Sequence, residues 1–478
     1  MNTRNEPRLR GGAIGVPGIV FFVIATNGPL IGLIGAVPVA LTLGNGIGVS
    51  GTFLLAGLTY LIFSVGFAAM ARYVKSAGAF YTYVTKGLGR PPGVSAAALA
   101  ITSYVAIQLA CYAMVGFFLG QFEQAHFDHA LPWWINALLV CAIVLICGYR
   151  NIEFSGKLLG VLMLCEITIV LIFDASVVAH GGGPEGLTLT PFLPSHVFSN
   201  GLGAALVFTI GSYVGFETTA IYAEEAKNPA RTIPLAMYLS VICIMSFFAI
   251  SVWALIVAYG PSHVVSEAQR DPGNLWFSAA TTFVSPLAAD AMSVLMITSL
   301  FAALVSLQNA VARYFFSLGR EGVLWKKLSA MHPIQRSPYI ASLFQSAISC
   351  TIVVGFAATG ASPMDTVLPV TSTFASIGLL VVQVMTSLAV IGFFRQKAHE
   401  EGPFQSLIAP MISTFALTAL VWLIINNVTL LAGGNELAGR VIGWLVVAVA
   451  ISGLLYAKWI QRQRPDRYAA LGRVLSEM

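Results

Sequence analysis

Apolar runs of about twenty residues follow one another along almost the whole of this chain, and that pattern admits few folds. A helix crossing the hydrocarbon core of a bilayer needs about 20 such residues. Runs of that kind sit near 13–40, 48–72, 93–120, 132–150, 156–179, 197–222, 233–259, 287–318, 338–359, 364–394, 404–427 and 437–460. With the N-terminus placed inside, every Lys and Arg except Arg270 and Arg440 falls in an inside gap or against the inside end of a run. The positive-inside rule predicts that bias, and one span more or fewer would invert every later loop and scatter it. The sequence therefore predicts an all-α membrane protein of about 12 transmembrane helices, with both termini cytoplasmic and the chain lodged in the cell membrane.

Composition agrees. Only 9% of the residues are charged and 57% are hydrophobic, where a soluble domain carries about 25% charged residues. The net charge of +5 is spread through the gaps and forms no basic patch interleaved with aromatics, so no nucleic acid partner is expected. Cys111, Cys141, Cys147, Cys165, Cys243 and Cys350 stand singly in apolar stretches, without CxxC or metal-ligand spacing. No metal cluster, cofactor motif or nucleophile–base arrangement is seen, and the chain is not read as an enzyme. No P-loop is present, so any transport would be driven by a gradient. Residues 1–12 and 461–478 read as cytoplasmic tails, and 260–286 is expected to hold a short interfacial helix outside.

Two spans carry helix breakers near their middle. In Ala25-Thr26-Asn27-Gly28-Pro29, Pro29 lacks an N–H and disfavours helix at Gly28. Thr26 or Asn27 would cap a second half-helix whose amides and dipole point at an anion such as a carboxylate. In Gly211-Ser212-Tyr213-Val214-Gly215-Phe216-Glu217, two glycines four apart weaken span 6, and Ser212 and Tyr213 offer polar contacts. The simpler alternatives are a proline kink and a small-xxx-small packing face. Spans 1 and 6 hold corresponding places in two five-helix halves of opposite orientation, as an inverted repeat requires. The expected organisation is a 5+5 inverted repeat, 13–180 and 197–395, with broken helices 1 and 6, plus two C-terminal helices at 404–460.

Ionisable groups inside spans cost about 2.5–3.5 kcal/mol at the helix centre on insertion scales, so each is a functional hypothesis. Glu166 lies mid-span in span 5 and would either carry a proton or bond a neighbouring helix. Glu217 follows the break in span 6 and would either bond freed backbone or titrate. Asp174 lies nearer the outside end and is expected to be solvated. Gln108 and Tyr112 on span 3, Gln308 and Asn309 on span 8, and Thr371, Ser372 and Ser376 on span 10 read as interhelical glue.

Several stretches resemble the amino acid–polyamine–organocation superfamily of permeases. They are Ala69-Met70-Ala71-Arg72 with Ser76-Ala77-Gly78-Ala79-Phe80-Tyr81-Thr82-Tyr83-Val84; Val214-Gly215-Phe216-Glu217 with Ala223-Glu224-Glu225-Ala226-Lys227-Asn228-Pro229-Ala230-Arg231-Thr232-Ile233-Pro234; and Asn309-Ala310-Val311-Ala312-Arg313 with Gly319-Arg320-Glu321-Gly322-Val323-Leu324. The resemblance implies five plus five helices with two more, substrate held by backbone of broken spans 1 and 6, and alternating access. It also implies proton coupling, sodium coupling or exchange. The sequence departs from the family at three points. Thr26-Asn27-Gly28-Pro29-Leu30 replaces a Gly-Ser-Gly-Ile-Phe type turn. Gly211 stands where the arginine/agmatine exchangers carry a Trp. Glu166 falls, by register, where some proton-coupled members carry a Lys.

The expectation is thus a secondary transporter for amino acids with proton-coupled uptake. Thr26, Asn27, Gly28 and Pro29 would bind a carboxylate; Gly211, Ser212, Tyr213 and Gly215 would bind an amine; Glu166 and Glu217 are the coupling candidates. Its partners would be the lipid bilayer, a proton or sodium ion and the amino acid. The alternatives are a polyamine or organocation carrier and a non-transporting membrane sensor.

Overall fold

The computed structural model describes residues 15–74, 79–150, 156–217, 219, 226–320, 322–334, 337–396, 399–432 and 436–470. The tail 1–12, Ser76–Gly78, Ala223–Glu225, Glu321 and the end beyond 470 lie outside the described residues. The described chain is helical and contains no β-strand. Nine of its helices are long and apolar enough to cross a membrane, and three shorter apolar ones stand at spans 1, 4 and 6. This is a multi-pass membrane architecture.

In chain order the helices are α1 (Val16–Asn27), α2 (Ile31–Leu43), α3 (Val49–Tyr73), α4 (Ala79–Leu88), α5 (Arg90–Phe127), α6 (Trp133–Tyr149), α7 (Gly156–Ala179) and α8 (Leu202–Gly211). Then come α9 (Pro229–Tyr259), α10 (Val264–Arg270), α11 (Leu275–Phe283), α12 (Pro286–Arg320), α13 (Tyr339–Ala358), α14 (Pro363–Gln396), α15 (Phe404–Leu431) and α16 (Glu436–Gln463). Where one short helix is expected in 260–286, two stand, α10 and α11. The sequence reading missed α4, which packs on α5 and α14 and buries Phe80 and Tyr83 with their rings against Phe67 of α3.

α5 is the spine. At 38 residues it extends about 57 Å, well beyond a hydrocarbon core of about 30 Å. It packs on α4, α6, α12, α13, α14 and α16. Lipid tails give helices no hydrophobic reason to associate, so close backbone approach at small residues and buried hydrogen bonds do that work. A Cβ on Gly378 of α14 would lie 2.2 Å from Ser103 Oγ, and one on Gly453 of α16 would lie 2.6 Å from Ser95 Cα. On another face of α5, Gln108 donates to Gln308 Oε1 of α12 at 3.0 Å and accepts from Gln345 Nε2 of α13 at 2.5 Å. Gln308 also donates to Ser342 O and Ser346 Oγ. The glue expected of Gln108 and Gln308 is present, and Gln345 belongs to it too.

The cysteines are free, and Cys165 and Cys243 are exposed on the outer faces of their helices. Cys141 of α6 and Cys350 of α13 meet, with sulfurs 3.3 Å apart. In the loop after α7, Glu185 accepts from the Ser262 hydroxyl at 2.6 Å and the Ser262 amide at 2.9 Å. These two bonds, the hydroxyl's first, hold its carboxyl below its ordinary value. On α15 and α16, Phe415, Trp422 and Trp444 are among the most exposed large apolar side chains, as expected of surfaces that face lipid.

One of the closest backbone crossings joins α4 to α14. A Cβ on Gly87 would stand 2.0 Å from the Ala389 carbonyl oxygen, and one on Gly392 would stand 2.4 Å from the Gly87 carbonyl oxygen. Backbone cannot yield as a flexible side chain does, so overpacking here costs at least the usual ~1–3 kcal/mol. Gly87→Val is therefore expected to lower the thermal unfolding midpoint in detergent. Gly443→Val, where an added Cβ meets nothing within 4 Å, serves as the control. Equal midpoints for the two variants would refute the crossing.

Candidate functional site

The first span breaks at Gly28. α1 ends at Asn27, and Gly28 takes φ +57°, a left-handed conformation that costs glycine little. Its amide has no backbone partner among the described residues, while its carbonyl accepts from Ile31 at 2.9 Å and Gly32 at 3.4 Å. Pro29 starts the second segment without an N–H to satisfy. The Leu30 amide donates to Glu166 Oε2 of α7 at 3.4 Å, and the Ser299 hydroxyl of α12 donates to the same oxygen at 3.1 Å. α2 then opens with a π-helical turn, Ile31–Ala36. Its glycines let bare backbone pass close to its neighbours. A Cβ on Gly32 would meet the Phe248 ring at 2.4 Å, and one on Gly35 would meet Met114 Sδ at 2.4 Å.

The sixth span breaks at Gly211. There the amides of Ser212, Tyr213 and Val214 turn back by three residues, to Thr209, Ile210 and Gly211. That tightening leaves the Phe208 carbonyl without its i+4 helical donor. Gly215 takes φ +107°, and its amide donates to Glu217 Oε2 at 2.9 Å. The Tyr104 hydroxyl of α5 donates to Glu217 Oε1 at 2.6 Å. Tyr213 points away from the break. Its hydroxyl donates to Phe53 O at 2.7 Å and its ring stacks on Tyr60.

The two breaks lie against one cavity. Asn27, Gly32, Gly211 and Ser212 border it from the breaks; α5 adds Ile107, Cys111 and Met114, and α14 adds Ser372, Ser376 and Leu379. None of the lining residues carries a charge. Asn27 Nδ2 and Ser212 Oγ are buried with no hydrogen-bond partner. Of the thirteen described buried side-chain N and O atoms without a partner, these two are the ones on residues lining the cavity. A Cβ at Gly211 would meet nothing within 4 Å, so the position read as lacking a Trp opens directly onto free space.

Of the residues read from the sequence, Asn27, Gly211 and Ser212 line the cavity. Gly28 and Pro29 form the turn beside it. Tyr213 and Gly215 are turned into the protein. The Thr26 side chain lies outside the described atoms. Glu166 and Glu217 are not lining residues; each accepts a backbone amide freed by one of the breaks. Ser376 combines two roles, lining the cavity and donating to Val207 O at 2.9 Å. The expectation for Asp174 is corrected: it is 6% exposed and accepts from the Ser251 hydroxyl of α9 at 2.7 Å. It sits on the buried stripe of α7 with Glu166, Val170, Phe173 and Val177, so its face outweighs its nearness to the end. The apolar walls, Ile107, Met114 and Phe208, went unread because nothing in their type separates them from lipid-facing neighbours.

Residues 18–467 match the amino acid permease family. The branched-chain amino acid permease BcaP of Bacillus subtilis is 24% identical over 444 residues, covering 86% of each chain. The methylthioribose transporter of Bacillus subtilis is 24% identical over 393 residues, covering 78% of this chain and 79% of its own. The lysine-specific permease LysP of Lactococcus lactis is 26% identical over 323 residues, covering 62% and 60%.

The double anchorage of Glu217 gives a test of its part in the break. Alanine would strand the buried Tyr104 hydroxyl, at about 1–3 kcal/mol, and take one acceptor from the Gly215 amide. Glutamine keeps an acceptor for one of them. Glu217→Ala should lower the unfolding midpoint clearly more than Glu217→Gln, measured by tryptophan fluorescence in detergent. Equal losses would show that the carboxylate does not hold the break.

Proposed function

Because the chain belongs to the amino acid permease family, we propose that it is a secondary transporter for neutral amino acids with apolar side chains, driven by protons and working by alternating access. The observation that carries this reading is the uncharged cavity bordered by both backbone breaks, with Asn27 Nδ2 and Ser212 Oγ unpaired in it. A zwitterion fits two opposed helix ends. The C-terminal end of α8 is the negative end of a helix dipole and suits the ammonium; the start of α2, beside Gly28, is a positive end and suits the carboxylate. In this reading the Gly28 amide and Asn27 hold the carboxylate, the Phe208 carbonyl holds the ammonium, and Ile107, Met114 and Leu379 receive the side chain. The likeness to a branched-chain permease supports an aliphatic side chain.

The proposed architecture is twelve spans with both ends inside the cell, two five-helix repeats (13–180 and 197–395) and the accessory pair 404–460, set in the cell membrane. The weakness of an isolated polyamine reading is chemical. A polyamine needs acids in the pocket, and Glu166 and Glu217 are both spent on backbone amides and neighbouring hydroxyls.

Glu166 is the proposed coupling group. As a carboxylate it accepts from both Leu30 and Ser299. Hydrogen bonds to an ionised acceptor are roughly twice as strong as neutral ones, so a proton on Glu166 loosens its hold on the first turn after the break. A proton and a substrate would then act on one segment of span 1.

Radiolabelled uptake into proteoliposomes tests this, using a panel of L-leucine, L-alanine, L-lysine and putrescine with and without an inward proton gradient. Leucine accumulation that needs the gradient, and is lost in Glu166→Gln, is the expected result. Accumulation unchanged in the variant would reduce Glu166 to a structural residue. Putrescine as the preferred substrate would overturn the pocket assignment, and no flux of any compound would favour a sensor.

The free space at Gly211 yields a second expectation. Gly211→Leu should raise KM for leucine about tenfold or more, the scale of pocket discrimination by a few methylenes. The KM for alanine should change less. Equal changes for both substrates would remove Gly211 from the side-chain end of the pocket.

A further inference from the structure

α7 carries two acids on its buried stripe, and the mechanism above uses only one. Asp174 lies eight residues beyond Glu166, about 12 Å along the helix, toward the end that the basic residues assign to the outer face. Its environment repeats that of Glu166: a serine hydroxyl from a neighbouring span donates to one oxygen, Ser251 of α9 to Oδ2 here and Ser299 of α12 to Oε2 there. The other oxygen, Oδ1, is buried without a hydrogen-bond partner among the described residues. Beside it, α11 closes over the end of α7. The Ser176 hydroxyl donates to Phe283 O, and Trp276 is fully buried with its ring 5.5 Å from that of Phe173.

The elements packed on α7 are α1, α9, α11 and α12. Among their described residues, α1 and α11 contain no charged side chain. α9 brings Ser251; its Cys243 is exposed and its Tyr259 hydroxyl is committed to Leu275 O. At the outer end of α12, Asp290 is exposed, as is His180 at the end of α7 itself. Glu267 and Arg270 of α10 pair with each other. Among the described residues, the Ser251 side chain alone bonds the Asp174 carboxyl. An ionised carboxylate held by a single hydroxyl in a dry interior is costly, whereas a neutral acid needs one more hydrogen, and Oδ1 is the atom free to carry it.

We propose that Asp174 is a second proton-binding site of this transporter, at the outer end of span 5, distinct from Glu166 and filled from the external solution. The inference rests on the reading of the chain as a proton-coupled permease. In the loading step, hydronium transfers one proton to Oδ1 and leaves as water, while Ser251 keeps its bond to Oδ2. The 12 Å to Glu166 is too long for direct transfer, so the two carboxyls are separate sites and not links of one hydrogen-bonded wire. Filling Asp174 removes a charge from the contact of α7 with α9 and α11, and so ties external protons to the closing of the outer side.

Asp174→Asn keeps an acceptor for Ser251 and removes the proton site. In proteoliposomes under an inward gradient of about one pH unit, each coupled proton multiplies the limiting accumulation about tenfold, since one pH unit is a factor of ten in proton activity. The expected result is that L-leucine accumulation by Asp174→Asn falls about tenfold more than leucine counterflow does, and that uptake loses part of its dependence on external pH. An accumulation ratio and pH profile identical to wild type would overturn the proposal and make Asp174 structural. Wild-type accumulation indifferent to the gradient would sink the coupling reading, and the second site with it. Infrared difference spectra of the purified protein between acid and alkaline pH give a readout independent of substrate. A protonated-carboxyl band lost in Asp174→Asn but kept in Glu166→Gln supports two sites; no change in Asp174→Asn overturns them.

Discussion

An α-helix that breaks inside a membrane must find partners for the amides and carbonyls it releases, because no water of the bilayer core will take them. In this protein that requirement falls on two carboxylates. Glu166 accepts the Leu30 amide just past the break at Gly28, and Glu217 accepts the Gly215 amide just past the break at Gly211. Each is steadied by a hydroxyl from another helix, Ser299 for Glu166 and Tyr104 for Glu217. The breaks are therefore held by α5, α7 and α12, and the positions of those helices follow from close glycine crossings and the Gln108–Gln308–Gln345 network. The cavity is a consequence. With the acids drawn onto backbone behind it, what remains on its walls is uncharged.

This division of labour separates shape from charge. A pocket whose charges come from helix ends has no ionised side chain to neutralise when it is empty, and it can close without stranding one. Partial charges at helix ends act over about one turn, enough for the two ends of an amino acid zwitterion. In the proposed reading the side chain meets apolar walls, Ile107, Met114, Phe208 and Leu379 among them, and the bare face at Gly211, so selectivity would rest on volume.

Much of this was legible in the sequence, for physical reasons particular to membranes. Apolar runs located the helices because lipid demands uninterrupted apolar length, and Gly28-Pro29 and Gly211 located the breaks because glycine and proline alter backbone options wherever they stand. What was not legible depended on which way a side chain faces. Asp174 read as solvated from its place near a span end, yet the same helix carries it round to the stripe that packs on α9. α4 went unread because Ala79–Leu88 is amphipathic and short, so hydropathy alone treats it as a gap. Ile107 and Met114 are the cavity wall and look like any lipid-facing residue. Tyr213 and Gly215 sit in the break the sequence identified but turn inward, since the tightened turn after Gly211 rotates successive residues away from one another.

The placement of Glu166 also sets the energy scale of the proposed coupling. Hydrogen bonds to charged groups contribute about 1.5–3 kcal/mol, and every 1.4 kcal/mol is tenfold in an equilibrium. Weakening its two bonds on protonation is then enough to shift a two-state balance by one to two orders of magnitude, the range in which transporters exchange outward and inward states. A group buried elsewhere on α7 would need a chain of packed contacts to transmit the same free energy. Glu166 needs none, because its acceptor oxygen already holds the first amide beyond the turn that the substrate would occupy.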